Sequence, residues 1–114
     1  MSRTRPISQV EIEEEIMRLT DLLEQETEAF EQLAIDASVK ESGYKAAWAK
    51  EYLGAKGSIK EREAWADYKL EDPALQYKIS EALVKSKREK LNSLRTSIDA
   101  LRTLAANIRA QVMP

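Results

Sequence analysis

From Leu91 onward, apolar residues recur in alternating steps of three and four: Leu91, Leu94, Ile98, Leu101, Ala105, Ile108 and Val112. That spacing lines one face of an α-helix with the a and d positions of a heptad repeat, the face a helix turns to a neighbouring helix. A second stripe, Ile12, Ile16, Leu19, Leu23, Phe30, Leu33 and Ala37, crosses the N-terminal third. Glu26 alone breaks it, a carboxylate where the period asks for an apolar side chain. Nothing alternates with the period of two that marks a strand, and no repeat stands beyond the heptads.

Local signals divide the helical pattern. Ser8 and Glu11 fit a capping box, with Ile7 and Ile12 placed for the accompanying hydrophobic staple. The first helix is therefore expected over about 9–40, with Ser42-Gly43 interrupting it as a C-terminal turn. A short helix over about 44–53 follows, and Gly54-Ala55-Lys56-Gly57 reads as the most flexible stretch. Ser58 and Glu61 form a second capping box that opens a helix to about residue 70. Asp72-Pro73 is a start signal, with Asp as N-cap and Pro at the first helical position. The last helix then runs over about 73–112, roughly 60 Å at 1.5 Å per residue. The expected fold class is all-α: an elongated helical protein, one domain over 1–114, with long terminal helices of coiled-coil character and a short helical centre.

Composition removes whole classes of chemistry. Among 114 residues there is no cysteine, which excludes disulfides and thiolates and suits a reducing, cytoplasmic setting. There is no histidine, so the commonest general base and zinc ligand are missing. Glu13-Glu14-Glu15 fan around a helix and cannot converge on one ion; they suit the positive end of its dipole. No enzyme, cofactor or metal site is expected. Met1 to Pro6 is basic but is followed by acidic residues, so no signal peptide is read there, and no apolar run approaches a membrane span.

The net charge of −2 hides an asymmetry that points to partners. Residues 1–42 hold four basic and eleven acidic side chains, a net of −7; residues 43–114 hold fourteen and nine, a net of +5. Arg88, Arg95, Arg102 and Arg109 recur every seven residues. With Leu91 at position a they all fall at e, a guanidinium rail beside the apolar seam. Such a rail meets either acidic side chains of a neighbouring helix or phosphate. Lys85, Lys87, Arg88 and Lys90 crowd four cations into six residues with only Glu89 opposing, a density suited to polyanions.

Six of the seven aromatic residues, Tyr44, Trp48, Tyr52, Trp65, Tyr68 and Tyr77, lie between 44 and 77 with cations interleaved. Single-stranded nucleic acid is held by this mixture, bases on rings and phosphates on cations. An aromatic stripe at helical spacing also serves as core, and that alternative stays open. The loop around Lys56 lacks the preceding strand and Gly-Lys-Ser/Thr ending of a nucleotide P-loop. Candidate nucleic-acid contacts are Lys50, Tyr52, Lys56, Ser58, Lys60, Arg62, Lys85, Lys87, Arg88 and Lys90. Tyr52, beside the flexible loop, is expected to reach solvent more readily than Trp48 or Trp65.

The centre around Tyr44-Lys45-Ala46-Ala47-Trp48 and Ser58-Ile59-Lys60, followed by Asp72-Pro73 and a long helix of periodic Leu and Arg, resembles the UvsY-type recombination mediators of bacteriophages. The likeness is one of architecture over about residues 40–112. It implies binding of single-stranded DNA, homo-oligomers formed through C-terminal helices, and contacts with a RecA-like recombinase and a single-strand DNA-binding protein. Under it, Lys56, Ser58, Lys60 and Arg62 match the family's basic central stretch, and the seam from Leu91 to Val112 matches its oligomerising helix. The alternative is a structural or adaptor coiled coil, a phage assembly or inhibitory protein acting only through protein contacts; a third is an acidic-surface mimic working through the −7 arm.

Overall fold

The capping box at Ser8 forms as its spacing requires. The Glu11 amide donates to Ser8 Oγ at 3.2 Å, and the Ser8 amide donates back to Glu11 Oε2 at 3.3 Å. This computed structural model describes residues 8–112, with side chains through Gln111. Ile7 of the expected staple and the Val112 side chain of the seam lie outside the described residues. Helix α1, Gln9–Gly54, starts at that box and runs for 46 residues. Helix α2, Ile59–Lys69, starts at the Ser58 cap, and helix α3, Glu71–Val112, runs for 42 residues. The fold is all-α, and no strand occurs among the described residues. Among the described residues no helix is long and apolar enough to cross a membrane.

Two expected boundaries are corrected. Ser42-Gly43 does not end the first helix; α1 continues through it, and residues 44–53 are part of the same element. Gly43 keeps a negative φ, since Gly57 is the one glycine in the left-handed region. A mid-helix glycine costs about 1 kcal/mol relative to alanine. Stopping there would forfeit the burial of Tyr44, Ala47 and Trp48, which are half-buried on the same stripe as Ala37. The second correction is the start of α3. Asp72 is not its N-cap, because Ala74 already donates to Leu70 O at 2.9 Å and the helix begins at Glu71. Pro73 thus falls in the first turn, where its missing N–H breaks no helical bond.

These two glycines make a matched prediction. A Cβ on Gly43 meets nothing within 4 Å, so Gly43→Ala should raise stability by about 1 kcal/mol. Gly57 has φ +113°, and a Cβ there would stand 2.7 Å from Glu61 Oε2. Gly57→Ala should therefore destabilise by about 1–3 kcal/mol. Urea midpoints of the two variants, moving in opposite directions, check the pair.

The helices gather into two compact units: residues up to Ala29 with those from Arg88 on, and Phe30–Lys87. In the first unit, Ile12, Leu19, Leu91, Ile98 and Ala105 are buried. Lys90 Nζ bonds Glu26 Oε1 at 3.2 Å, while Thr20 and Leu23 share a groove with Arg95, Ile98 and Arg102. Rising numbers on α1 thus meet falling numbers on α3, an antiparallel pair. The lone misfit of the first stripe has its explanation here. Glu26 keeps only 16% of its side chain exposed and is held by a cation of the opposite helix. The second unit combines the rest of α1, all of α2 and the start of α3. Ala37, Ala66 and Ser80 are its buried residues among those described.

Candidate nucleic-acid interface

Arg62 and Ala66 of α2 and its C-cap Leu70 recur at i, i+4 and i+8 and are the buried or half-buried positions. The small Ala66 lets α2 lie close to its neighbours. Trp65, Tyr68 and Lys69 fall off that row and point outward. Trp65 is 43% exposed and Tyr68 71%. Lys69 Nζ stands 5.0 Å from the Trp65 ring centroid, within cation–π range. Trp65 Nε1–H donates to Glu51 Oε2 at 3.1 Å, which fixes the indole edge on α1. Gly54, Ala55, Lys56, Glu61 and Trp65 line one groove, so Lys56 and Trp65 share a surface.

The other aromatic residues are organised differently. Trp48 stacks on Tyr52 with centroids 5.3 Å apart and planes 11° apart. Its Nε1–H donates to Asp67 Oδ1 at 2.9 Å, tying α1 to α2. Tyr44 and Tyr77 meet edge to face at 5.8 Å. Burial raises the Tyr77 pKa above the ordinary phenol value, and its hydrogen bond with Glu81 adds to the rise. The Lys45 ammonium is held charged by its hydrogen bond to Glu41, which raises its pKa. Against Trp65 the expected order of exposure is reversed. Tyr52 is half-buried against Trp48, and Trp65 is the more open ring.

The basic candidates are sorted by burial and by their bonds. Lys50, Lys56, Lys60 and Lys85 are exposed. Ser58 acts as the cap of α2, its Oγ accepting the Glu61 amide at 3.2 Å. Arg62 belongs to the inward row, with its Nε buried and without a hydrogen-bond partner. Arg62 thus sits half-buried one turn from Ala66 rather than among the exposed cations. Lys87 is half-buried, Arg88 has an interaction of its own, and Lys90 is engaged by Glu26. The dense cluster is partly spent on folding.

The arginine rail keeps its outward direction in the first unit. Arg95 donates to Asn92 Oδ1 at 3.3 Å and Arg102 reaches Asp99 at 3.8 Å, both within α3. Thr20 lines the groove that Arg95 and Arg102 border, and its hydroxyl donates to Ile16 O. Exposed i, i+3 pairs of this kind hold their partners weakly, so the guanidiniums can exchange them for phosphate.

Leu91, Ile98 and Ala105 are buried within one chain, and Leu94, Leu101 and Ile108 are half-buried beside them. Within the chain their partner is the N-terminal part of α1. A heptad stripe states that a face is covered, not which helix covers it. The outward face of α2 also escaped the sequence reading, since size alone would have sent Trp65 inside and Ala66 out. Among the described residues no group of three or more His, Cys, Asp or Glu side chains could hold a metal ion. No protein-family model, curated protein or solved structure matches this chain.

Proposed function

We propose that this chain is a non-catalytic, self-associating protein that binds single-stranded DNA and helps load a RecA-like recombinase, displacing single-strand DNA-binding protein during recombination or repair. It would work in the cytoplasm, that of a bacterial host if phage-encoded. The observation that supports this most is the outward face of α2, where Trp65 and Tyr68 lie open beside Lys69 and Lys56. Bases stack on such rings without sequence preference, and the cations follow the backbone. The arginine rail of α3 supplies further phosphate contacts. Glu51 and Glu61 stand beside Trp65 and oppose a polyanion. Affinity per subunit is then low, and an oligomer compensates by gathering several patches on one strand.

Titration of a labelled oligonucleotide against salt tests this reading. The logarithm of affinity should fall against the logarithm of salt with a slope near −0.7 per neutralised phosphate. Duplex of the same length should bind more weakly, because its bases are already stacked. Binding that is flat in salt, or tighter to duplex, sinks the proposal. A protein-only adaptor is the second reading, favoured by the carboxylates bonded to both indoles. Complete absence of oligonucleotide binding, with the chain folded, would select it.

A further inference from the structure

The DNA reading gives the acidic arm no task. On α1, Glu14, Asp21 and Glu28 recur every seven residues and are all exposed. Each stands two residues beyond a position of the inward stripe, Ile12, Leu19 and Glu26, which is about 200° of helical turn. The row therefore runs down the side of α1 turned away from α3. Among the described residues none of the three makes a hydrogen bond or ion pair within the chain. Arg18, the one cation of this stretch, is turned to Glu15. The same unit carries the opposite charge at the same period. Arg95, Arg102 and Arg109 of α3 are exposed and also recur every seven residues. Arg95 holds the neutral Asn92, Arg102 reaches Asp99 at 3.8 Å, and Arg109 has no ion pair among the described residues. Two rows of opposite sign are thus left largely uncompensated by the fold.

We infer that the acidic outer row of α1 is a docking surface for the arginine rail of a second copy of this chain. At 1.5 Å per residue both rows repeat about every 10.5 Å, so three carboxylates meet three guanidiniums with neither helix altered. Antiparallel placement sets Glu14 of one copy against Arg109 of the other, Asp21 against Arg102, and Glu28 against Arg95. It also brings the start of one α1 to the end of the other α3, where the helix dipoles attract. Opposite charges at heptad spacing select partner helices and their orientation in this way. Within one chain the rows cannot meet, because the acidic one faces away from α3. Met17, 68% exposed, lies between Glu14 and Asp21 and adds an apolar side chain to the contact. Each copy offers both halves, a match of period and sign that a foreign helix would meet only by chance. The contact is head-to-tail, since a copy that gives its row keeps its rail, and assembly extends or closes. The inference rests on the self-association within the proposed function, and it makes the acidic row a competitor of phosphate for the rail.

Charge exchange tests the contact. Sedimentation at low salt should give a mass above the 13.0 kDa chain that rises with concentration, and about 0.5 M salt should lower it. Asp21→Lys with Glu28→Lys, and separately Arg95→Glu with Arg102→Glu, should each raise the dissociation constant at least about 100-fold. All four positions are exposed, so helicity by circular dichroism should be unchanged. Should a reversal lower it, Asp21→Asn with Glu28→Gln reads the same contact through a smaller loss of assembly. An equimolar mixture of the two reversed proteins should assemble again, because the lysines of one meet the glutamates of the other. Unmodified protein that is a monomer at low salt overturns the inference, as does a reversed row or rail that assembles undiminished. A mixture that stays monomeric also overturns it, since net charge alone then explains the loss in each variant. Oligonucleotide binding by the same proteins separates the two ideas. An unmodified monomer that binds single strands leaves the DNA reading standing, and a charge-exchanged assembly that ignores them leaves only the interface.

Discussion

Ile98→Asp should unfold the helix pair of the first unit, at a cost of about 4–5 kcal/mol. Ile98 is 4% exposed between α3 and α1. Truncating such a side chain alone costs about 2–5 kcal/mol, and the aspartate adds a carboxylate in a place from which water is excluded. Arg95 and Arg102 border the same groove and can offset part of that charge, but they do not restore the lost packing. On the seam as an open oligomer surface, the same substitution would only dissociate subunits and leave each chain folded. The two outcomes differ in one measurement. Circular dichroism of the variant at dilution should show a large loss of helicity and a collapsed urea midpoint, where simple dissociation would preserve both. Ile79→Glu, on the exposed face of the same helix, should move the dilute-solution midpoint by no more than about 0.5 kcal/mol.

The heptads of the two long helices are legible because burial on a helix must repeat every three or four residues. Ile12, Leu19, Leu91, Ile98 and Ala105 were all marked by that period and are all buried. The caps are legible for a similar reason: Ser8 closes a box with Glu11 in both directions, and Ser58 Oγ accepts the Glu61 amide. Legibility ends where the deciding partner is distant in sequence. Glu26 is a misfit until Lys90, sixty-four residues later, is seen beside it. The rail of arginines reads equally as protein contact or phosphate contact, because the partner that would decide between them is not written in the heptad. Gly43 misled because glycine is a reliable stop only where burial does not continue beyond it. Here Tyr44 and Trp48 keep the stripe, and a loss of about 1 kcal/mol is outweighed.

The centre was the least legible part, for a physical reason. Two aromatic residues of equal hydrophobicity were given opposite environments by their neighbours. Trp48 lies on the part of α1 that α2 covers, and Trp65 lies on the side of α2 turned away from Ala66. The position of α2 depends on the turn at Gly57, whose positive φ no flanking residue announces. Once the turn is set, Asp67 is brought to the Trp48 indole and Glu51 to that of Trp65. Both bonds anchor α2, which explains why an 11-residue helix with a single buried residue holds its place.

Trp48→Ala and Trp65→Ala should therefore separate folding from binding. Trp48 is half-buried, stacked on Tyr52 and bonded to Asp67, so its loss removes ring contact on both sides. The expected destabilisation is about 3 kcal/mol, at the low end for a tryptophan truncation because the site is not fully enclosed. Trp65 is open to solvent, and its removal loses a hydrogen bond to an exposed carboxylate that water can replace. Its stability cost should stay near 1 kcal/mol. Binding to an oligonucleotide should change the other way. Trp65→Ala should weaken it by about 1–3 kcal/mol for each base that stacks there, and Tyr68→Ala similarly, while Trp48→Ala should leave affinity per folded molecule unchanged. Fluorescence gives an independent check, since in a Trp48→Phe background the remaining indole is Trp65 and should quench as single-stranded DNA is added. Oligonucleotide that binds without altering Trp65 emission would move the stacking site off α2 and leave the arginine rail as the main contact.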